Sequence, residues 1–154
     1  LDLASEFERK GKDAIFVSCA DDPAVAEAKN LLKIPVIGAG SACAYVALSI
    51  GNRIGTLGIT EEAPAVMSKI LGEKLIYNVK PERVNTTVDL MKGEGKENAI
   101  KAALILKDKG CDTLALSCTG MSTIGVADDL KQITKMRVID PVLAAGTLLS
   151  YLRF

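Results

Sequence analysis

Short, largely apolar runs alternate along the chain with stretches where apolar residues recur every three or four positions. Residues 14–17, 35–38, 53–59, 75–79, 113–117 and 137–139 read as strands. Leu3 and Phe7, set among charges, predict a helix that ends at Gly11. Pro23, after Asp21 and Asp22, suits the first turn of a helix through Leu32 with acidic residues at its start. Ser41 is placed to cap a helix to Ile50. Further helices fall at about 61–71, 96–109 and 124–134, and one more closes the chain. Strands apolar on both faces alternating with helices predict an α/β fold of parallel sheets covered on both faces.

The pattern repeats. Residues 11–19 read GKDAIFVSC and residues 110–118 read GCDTLALSC, so Gly, Asp, Ser and Cys coincide. Each stretch follows a helix with basic residues at its end. Each is followed about twenty residues later by a Val-Ile strand, Val36-Ile37 or Val138-Ile139. A helix, strand, cysteine, helix and strand in the same order imply a duplicated α/β lobe. The expected division is a first lobe over 1–52, a second over 53–141, and a C-terminal helix over 142–154 that packs back on the first. Two strands precede the second cysteine strand, whereas only ten residues precede Gly11. A matched first lobe would need roughly 50 to 60 further residues, enough for two more strand units with their crossovers. The first lobe is therefore expected to hold a partial sheet with an open edge, which would favour self-association into a homo-oligomer.

Composition narrows the chemistry. Lys+Arg and Asp+Glu balance at 19 each, which leaves no electrostatic footprint for nucleic acid or an anionic membrane. Apolar runs stop at about ten residues, well short of the ~20 needed to span a bilayer. The charged, amphipathic stretch 1–12 does not read as a signal peptide, and the expected location is the cytoplasm. The chain has no histidine, so Cys-His and Ser-His catalysis and histidine metal sites are outside its means. Its four cysteines, Cys19, Cys43, Cys111 and Cys118, form no CxxC pair, and no metal site is expected from them. No lysine sits in a Schiff-base context and no complete G-x-G-x-x-G follows a strand, so no cofactor is expected.

Cys19 and Cys118 fall where parallel sheets bind ligands, at the carboxyl ends of strands that lead into helix N-termini. Backbone N–H groups and the helix dipole there stabilise a thiolate. Two such thiols facing one cleft suit a cofactor-independent racemisation of a small molecule. One thiolate takes a proton from carbon and the opposite thiol returns one to the other face, with Thr119 and backbone N–H groups stabilising the carbanion. Structural alternatives stand beside this. A free cysteine at a strand end is often a small buried hydrophobe; Cys43 and Cys111 read as packing residues. Ser18 and Ser117 can satisfy backbone groups beside the turns. Asp21 and Asp22 can serve as cap and first-turn acid, Thr60 as an N-cap, and Gly38 and Gly40 as tight-turn glycines.

These motifs resemble the Asp/Glu/hydantoin racemase superfamily, two-lobed α/β enzymes with one catalytic cysteine per lobe. Cys19-Ala20-Asp21-Asp22-Pro23 resembles the Cys-x-x-Asp-Pro of its hydantoin branch, and Cys118-Thr119-Gly120-Met121 its Cys-Ala-Gly-Met. Ile34-Pro35-Val36-Ile37-Gly38 and Val138-Ile139-Asp140 also look like family segments. The resemblance implies Cys19 and Cys118 as the acid/base pair, with substrate contacts at Ala20, Asp21, Gly40, Ser41, Thr60, Thr119 and Gly120. Amino-acid racemases of the superfamily carry Asn-Thr after the first cysteine; Ala20 and Asp21 stand there here, which points away from free aspartate or glutamate. Other outcomes are a decarboxylase or cis–trans isomerase that uses one cysteine, a ligand-binding module without turnover, and a redox pair. The last requires Cα atoms within about 7 Å.

Overall fold

Two glycines stop the helices that lead into the cysteine strands. In the computed structural model, which describes residues 1–152, Gly11 and Gly110 adopt φ of +70° and +78°. This is the left-handed conformation that ends a helix and that glycine takes without steric cost. The first half runs α1 (Asp2–Arg9), β1 (Ile15–Val17), α2 (Val25–Leu31), β2 (Val36–Gly38) and α3 (Ala39–Ile50). The chain continues through β3 (Ile54–Leu57), α4 (Ala65–Leu71), a 3-10 turn (Gly72–Lys74), β4 (Leu75–Val79), α5 (Thr87–Leu90) and α6 (Gly95–Asp108). It ends with β5 (Thr113–Leu116), α7 (Thr119–Thr123), α8 (Ala127–Thr134), β6 (Arg137–Ile139) and α9 (Pro141–Ser150). Arg153 and Phe154, at the end of the expected closing helix, lie outside the described residues.

All strand pairs are parallel. β1 pairs with β2, with Ile15 opposite Val36 and Val17 opposite Gly38. The other four strands form a sheet in the order β4-β3-β5-β6, in which Leu57 faces both Val79 and Leu116. Every residue of β3 and β5 is buried, as expected of central strands covered on both faces. Three apolar clusters make the layers. Ile15, Val25, Ala28 and Val36 join α2 to the outer face of the small sheet. Ala42, Cys43, Ala47, Met67, Ala115 and Ile139 join α3 and α4 to the large sheet, and Ala144 and Ala145 bring α9 into the same cluster. Leu57, Leu106, Leu114, Leu116 and Leu130 fill the far face beneath α6 and α8. α9 packs on α3 and touches β2.

The element boundaries depart from the sequence expectations in ways that bear on the site. α2 begins at Val25 rather than Pro23, because Asp22 and Ala24 adopt φ of +51° and +58° and turn the chain first. Ser41 does not cap α3, which starts two residues earlier with Gly38 as its N-cap. α4 starts at Ala65, behind Pro64, since a residue before proline is pushed out of helical geometry. The short helices α5 and α7 carry too few turns to leave a periodic signal. Among the described residues no helix is long and apolar enough to cross a membrane.

Candidate active site

β5 delivers Cys118 to the first turn of α7, where it is the N-cap in extended conformation. Its side chain makes no capping hydrogen bond, and the Met121 N–H donates instead to the Cys118 carbonyl at 3.1 Å. Burial pushes this thiol above its ordinary value; the N–H groups of Gly120 and Met121 oppose that shift, and the negative charges of Cys19 and Asp21 add to it. Gly120 leaves room at the crowded centre of the turn. A β-carbon there would meet Leu90 at 3.0 Å, Thr87 at 3.2 Å and the Cys118 sulfur at 3.4 Å. α5 thus lies over the second cysteine turn. Neither Thr87 nor Leu90 was legible as a site residue, because a four-residue helix has no pattern of its own. The one sequence signal was local, the Thr86/Asp89 capping box that starts α5.

β1 delivers Cys19 to the matching turn, where it is half-buried. Its N–H donates to the Val17 carbonyl at 3.0 Å, and its carbonyl accepts the Asp22 N–H at 3.1 Å. The two turns meet: the Thr119 hydroxyl donates to the Ser18 carbonyl at 3.3 Å across 101 residues of sequence. Ala20 is buried, and its carbonyl oxygen lies where a β-carbon on Gly40 would go. Asp22 is 9 % exposed, and its carboxylate accepts the N–H groups of Gly40 at 2.7 Å and Ser41 at 2.9 Å. The acid expected to serve α2 therefore caps α3 instead.

α3 reaches the second cysteine turn as well. The fully buried Cys43 thiol donates toward the carbonyls of Leu116 and Ile139, at 3.4 and 3.5 Å, where β5 and β6 end. Cys43 is thus a packing residue with a directed S–H. Burial, and then the charge of Asp140, hold this thiol far above its ordinary value of 9.0. The folded chain keeps the proton to higher pH than the unfolded chain. The associated stability is intact below pH 9.0 and is lost as pH rises above it. Cys43→Ser keeps a donor and removes the titration. It should flatten the alkaline fall in unfolding free energy by about 1.4 kcal/mol per pH unit above pH 9, read from urea melts.

The remaining expected contacts are dispersed. Asp21 and Ser41 line a groove of about 550 Å³ with Tyr45, Lys29 and Lys69, which neither Cys19 nor Cys118 lines. The Thr60 hydroxyl donates to the Glu62 carbonyl at 2.7 Å, inside its own loop, and does not cap α4. Ser117 satisfies no backbone group through its side chain. Its Oγ is buried over Gly58 without a partner among the described residues. Among the described residues no cluster of three or more acidic, cysteine or histidine side chains could hold a metal ion.

Two parallel sheets sharing a central helical layer, with a cysteine turn at the end of a strand in each, define a duplicated α/β protein. The chain belongs to the Asp/Glu/hydantoin racemase family, whose model matches residues 1–149. It is 29% identical over 147 residues to a hydantoin racemase from Rhizobium meliloti, covering 90% of this chain and 59% of that protein. It is 21% identical over 150 residues to a hydantoin racemase from Pseudomonas sp. (strain NS671), covering 89% and 57%. Among solved structures, an allantoin racemase from Klebsiella pneumoniae superposes with a TM-score of 0.83 at 23% identity, over 97% of this chain and 63% of that one. That likeness is one of fold. The chain spans roughly three-fifths of the length of the proteins it matches.

Proposed function

We propose that this chain carries the two-cysteine centre of a cofactor-independent racemase acting on a small molecule with an acidic C–H beside a carbonyl, hydantoin-like in class. The observation that supports this most directly is the meeting of the two cysteine turns through Thr119 and Ser18. One thiolate abstracts the proton, the electron pair is held as an enolate by nearby backbone N–H donors, and the opposite thiol protonates the other face. Burial favours the neutral, proton-donating form of Cys118, which suits it to the donor's part in one direction. The roles exchange in the other. The hydantoin racemase relatives support the substrate class, and Ala20 and Asp21 beside Cys19 fit it better than a free acidic amino acid. Free thiols suit the reducing cytoplasm.

The two cysteines differ in setting, Cys118 buried and Cys19 half-buried, which keeps a one-cysteine decarboxylase or isomerase as the second reading. The test is deuterium incorporation at the acidic carbon of a 5-substituted hydantoin in D₂O, with Cys19→Ala and Cys118→Ala compared to the unmodified protein. Loss of exchange in both variants is expected. Exchange that survives in one of them would support the one-cysteine reading, and exchange that survives in both would remove the cysteines from the chemistry.

A further inference from the structure

The duplicated halves fasten their cysteine turns by opposite means. In the second half, Asp140 is the N-cap of α9, and its carboxylate accepts the N–H groups of Val142 at 2.8 Å and Leu143 at 3.0 Å. Ser122, on the helix that Cys118 caps, donates to the same carboxylate at 2.8 Å. The carboxylate thus belongs to the helix, and the cysteine segment reaches it with a hydroxyl. In the first half the corresponding N-cap is Gly38, which has no side chain to offer. Its backbone, φ −95° and ψ 145°, nearly matches that of Asp140, φ −88° and ψ 126°. The carboxylate comes instead from Asp22, three residues beyond Cys19, and crosses 18 residues of sequence to reach the α3 amides. A β-carbon on Gly38 would fall on the Asp22 carboxyl group, so the two arrangements exclude each other.

We propose that Asp22 is a positioning residue for Cys19, one whose carboxylate ties the first cysteine turn to the amino end of α3. α3 is the right anchor, because its own Cys43 is fixed to the ends of β5 and β6 beside Cys118. Through Asp22 both cysteine turns are referred to one helix. The left-handed φ of Asp22 and Ala24 marks a turn that costs free energy to hold, and the two charge-assisted hydrogen bonds offset that cost. A helix cap alone would need only a carboxylate near the amides. The tie needs that carboxylate to come from the cysteine turn. This inference rests on the racemase reading only for its effect on turnover.

The matched backbones permit a test that separates cap from tie. Asp22→Ala removes both; Asp22→Ala with Gly38→Asp restores a cap of the Asp140 kind and leaves the turn unattached. Asp22→Ala should lower the thermal midpoint by about 2–4 °C, as loss of one cap does in a chain of this size. The double variant should regain that midpoint. Backbone hydrogen exchange over residues 19–25 should nevertheless remain about tenfold faster than in the unmodified protein, and substrate C–H exchange about tenfold or more slower. If residues 19–25 recover their protection together with the midpoint, Asp22 is a helix cap and nothing more. If the unmodified protein exchanges no hydantoin C–H, the racemase reading fails, while the backbone exchange still decides the role of Asp22.

Discussion

Cys118→Ser is expected to leave the protein folded and to slow deuterium incorporation into a hydantoin about a thousandfold. Serine is among the best N-cap residues, and the thiol it replaces makes no capping hydrogen bond, so α7 should stay in place. Serine cannot take over the proton chemistry, because a hydroxyl does not ionise in the range where a thiol does. General acid–base catalysis contributes about 10² to 10⁴ in rate, and the substitution removes one of the two groups that supply it. The thermal midpoint should move by no more than about 2 °C, a shift equivalent to less than 1 kcal/mol at this size. Exchange reduced less than about tenfold would mean that Cys118 transfers no proton.

Gly40→Ala has the largest expected effect on stability, about 3 kcal/mol, or a fall of roughly 6–12 °C in the thermal midpoint. The added methyl would fall on the backbone carbonyl of Ala20, which cannot rotate away as a side chain could. Either the cysteine turn or the first turn of α3 must move, and both hydrogen bonds to Asp22 go with it. Gly146→Ala is the matching control. Gly146 also sits inside a helix, α9, but a β-carbon there meets nothing within 4 Å. This change should raise stability by about 0.5–1 kcal/mol through helix propensity. Equal effects at the two sites would show that the close approach of Ala20 to Gly40 carries no energetic weight.

The alternation of strands and helices was legible because the central strands are buried on both faces and therefore largely apolar, with Thr56 and Thr113 as buried exceptions. The repeat was legible because the turn chemistry is shared, down to Gly11 and Gly110 in the same left-handed conformation. What escaped was whatever depended on partners distant in sequence. Ser41 looked like a cap because it stands near the start of a helix with the right side chain. The real cap of α3 lies 18 residues upstream, and Gly38 is small because that carboxylate fills its place. Asp22 was visible as an acid beside a proline, which is an ordinary helix-start signal, and the sequence could not tell which helix it served. α5 and α7 escaped for a different reason. At four and five residues they are held by their neighbours, Thr87 and Leu90 against Gly120, rather than by a periodic face.

The exclusion between Gly38 and Asp22 also bears on the ancestry of the duplication. The two halves end their cysteine turns in two ways, and no single substitution converts one into the other. Gain of an aspartate at position 38 while Asp22 remains would drive one carboxyl group into another; loss of Asp22 while Gly38 remains would leave the α3 amides without their acceptor. Either order passes through a poorer intermediate, so once the halves had parted at this point drift alone would rarely bring them back. The pair should therefore change together across lineages, glycine with aspartate or neither, and a sequence carrying only one of them would have had to invent a third solution.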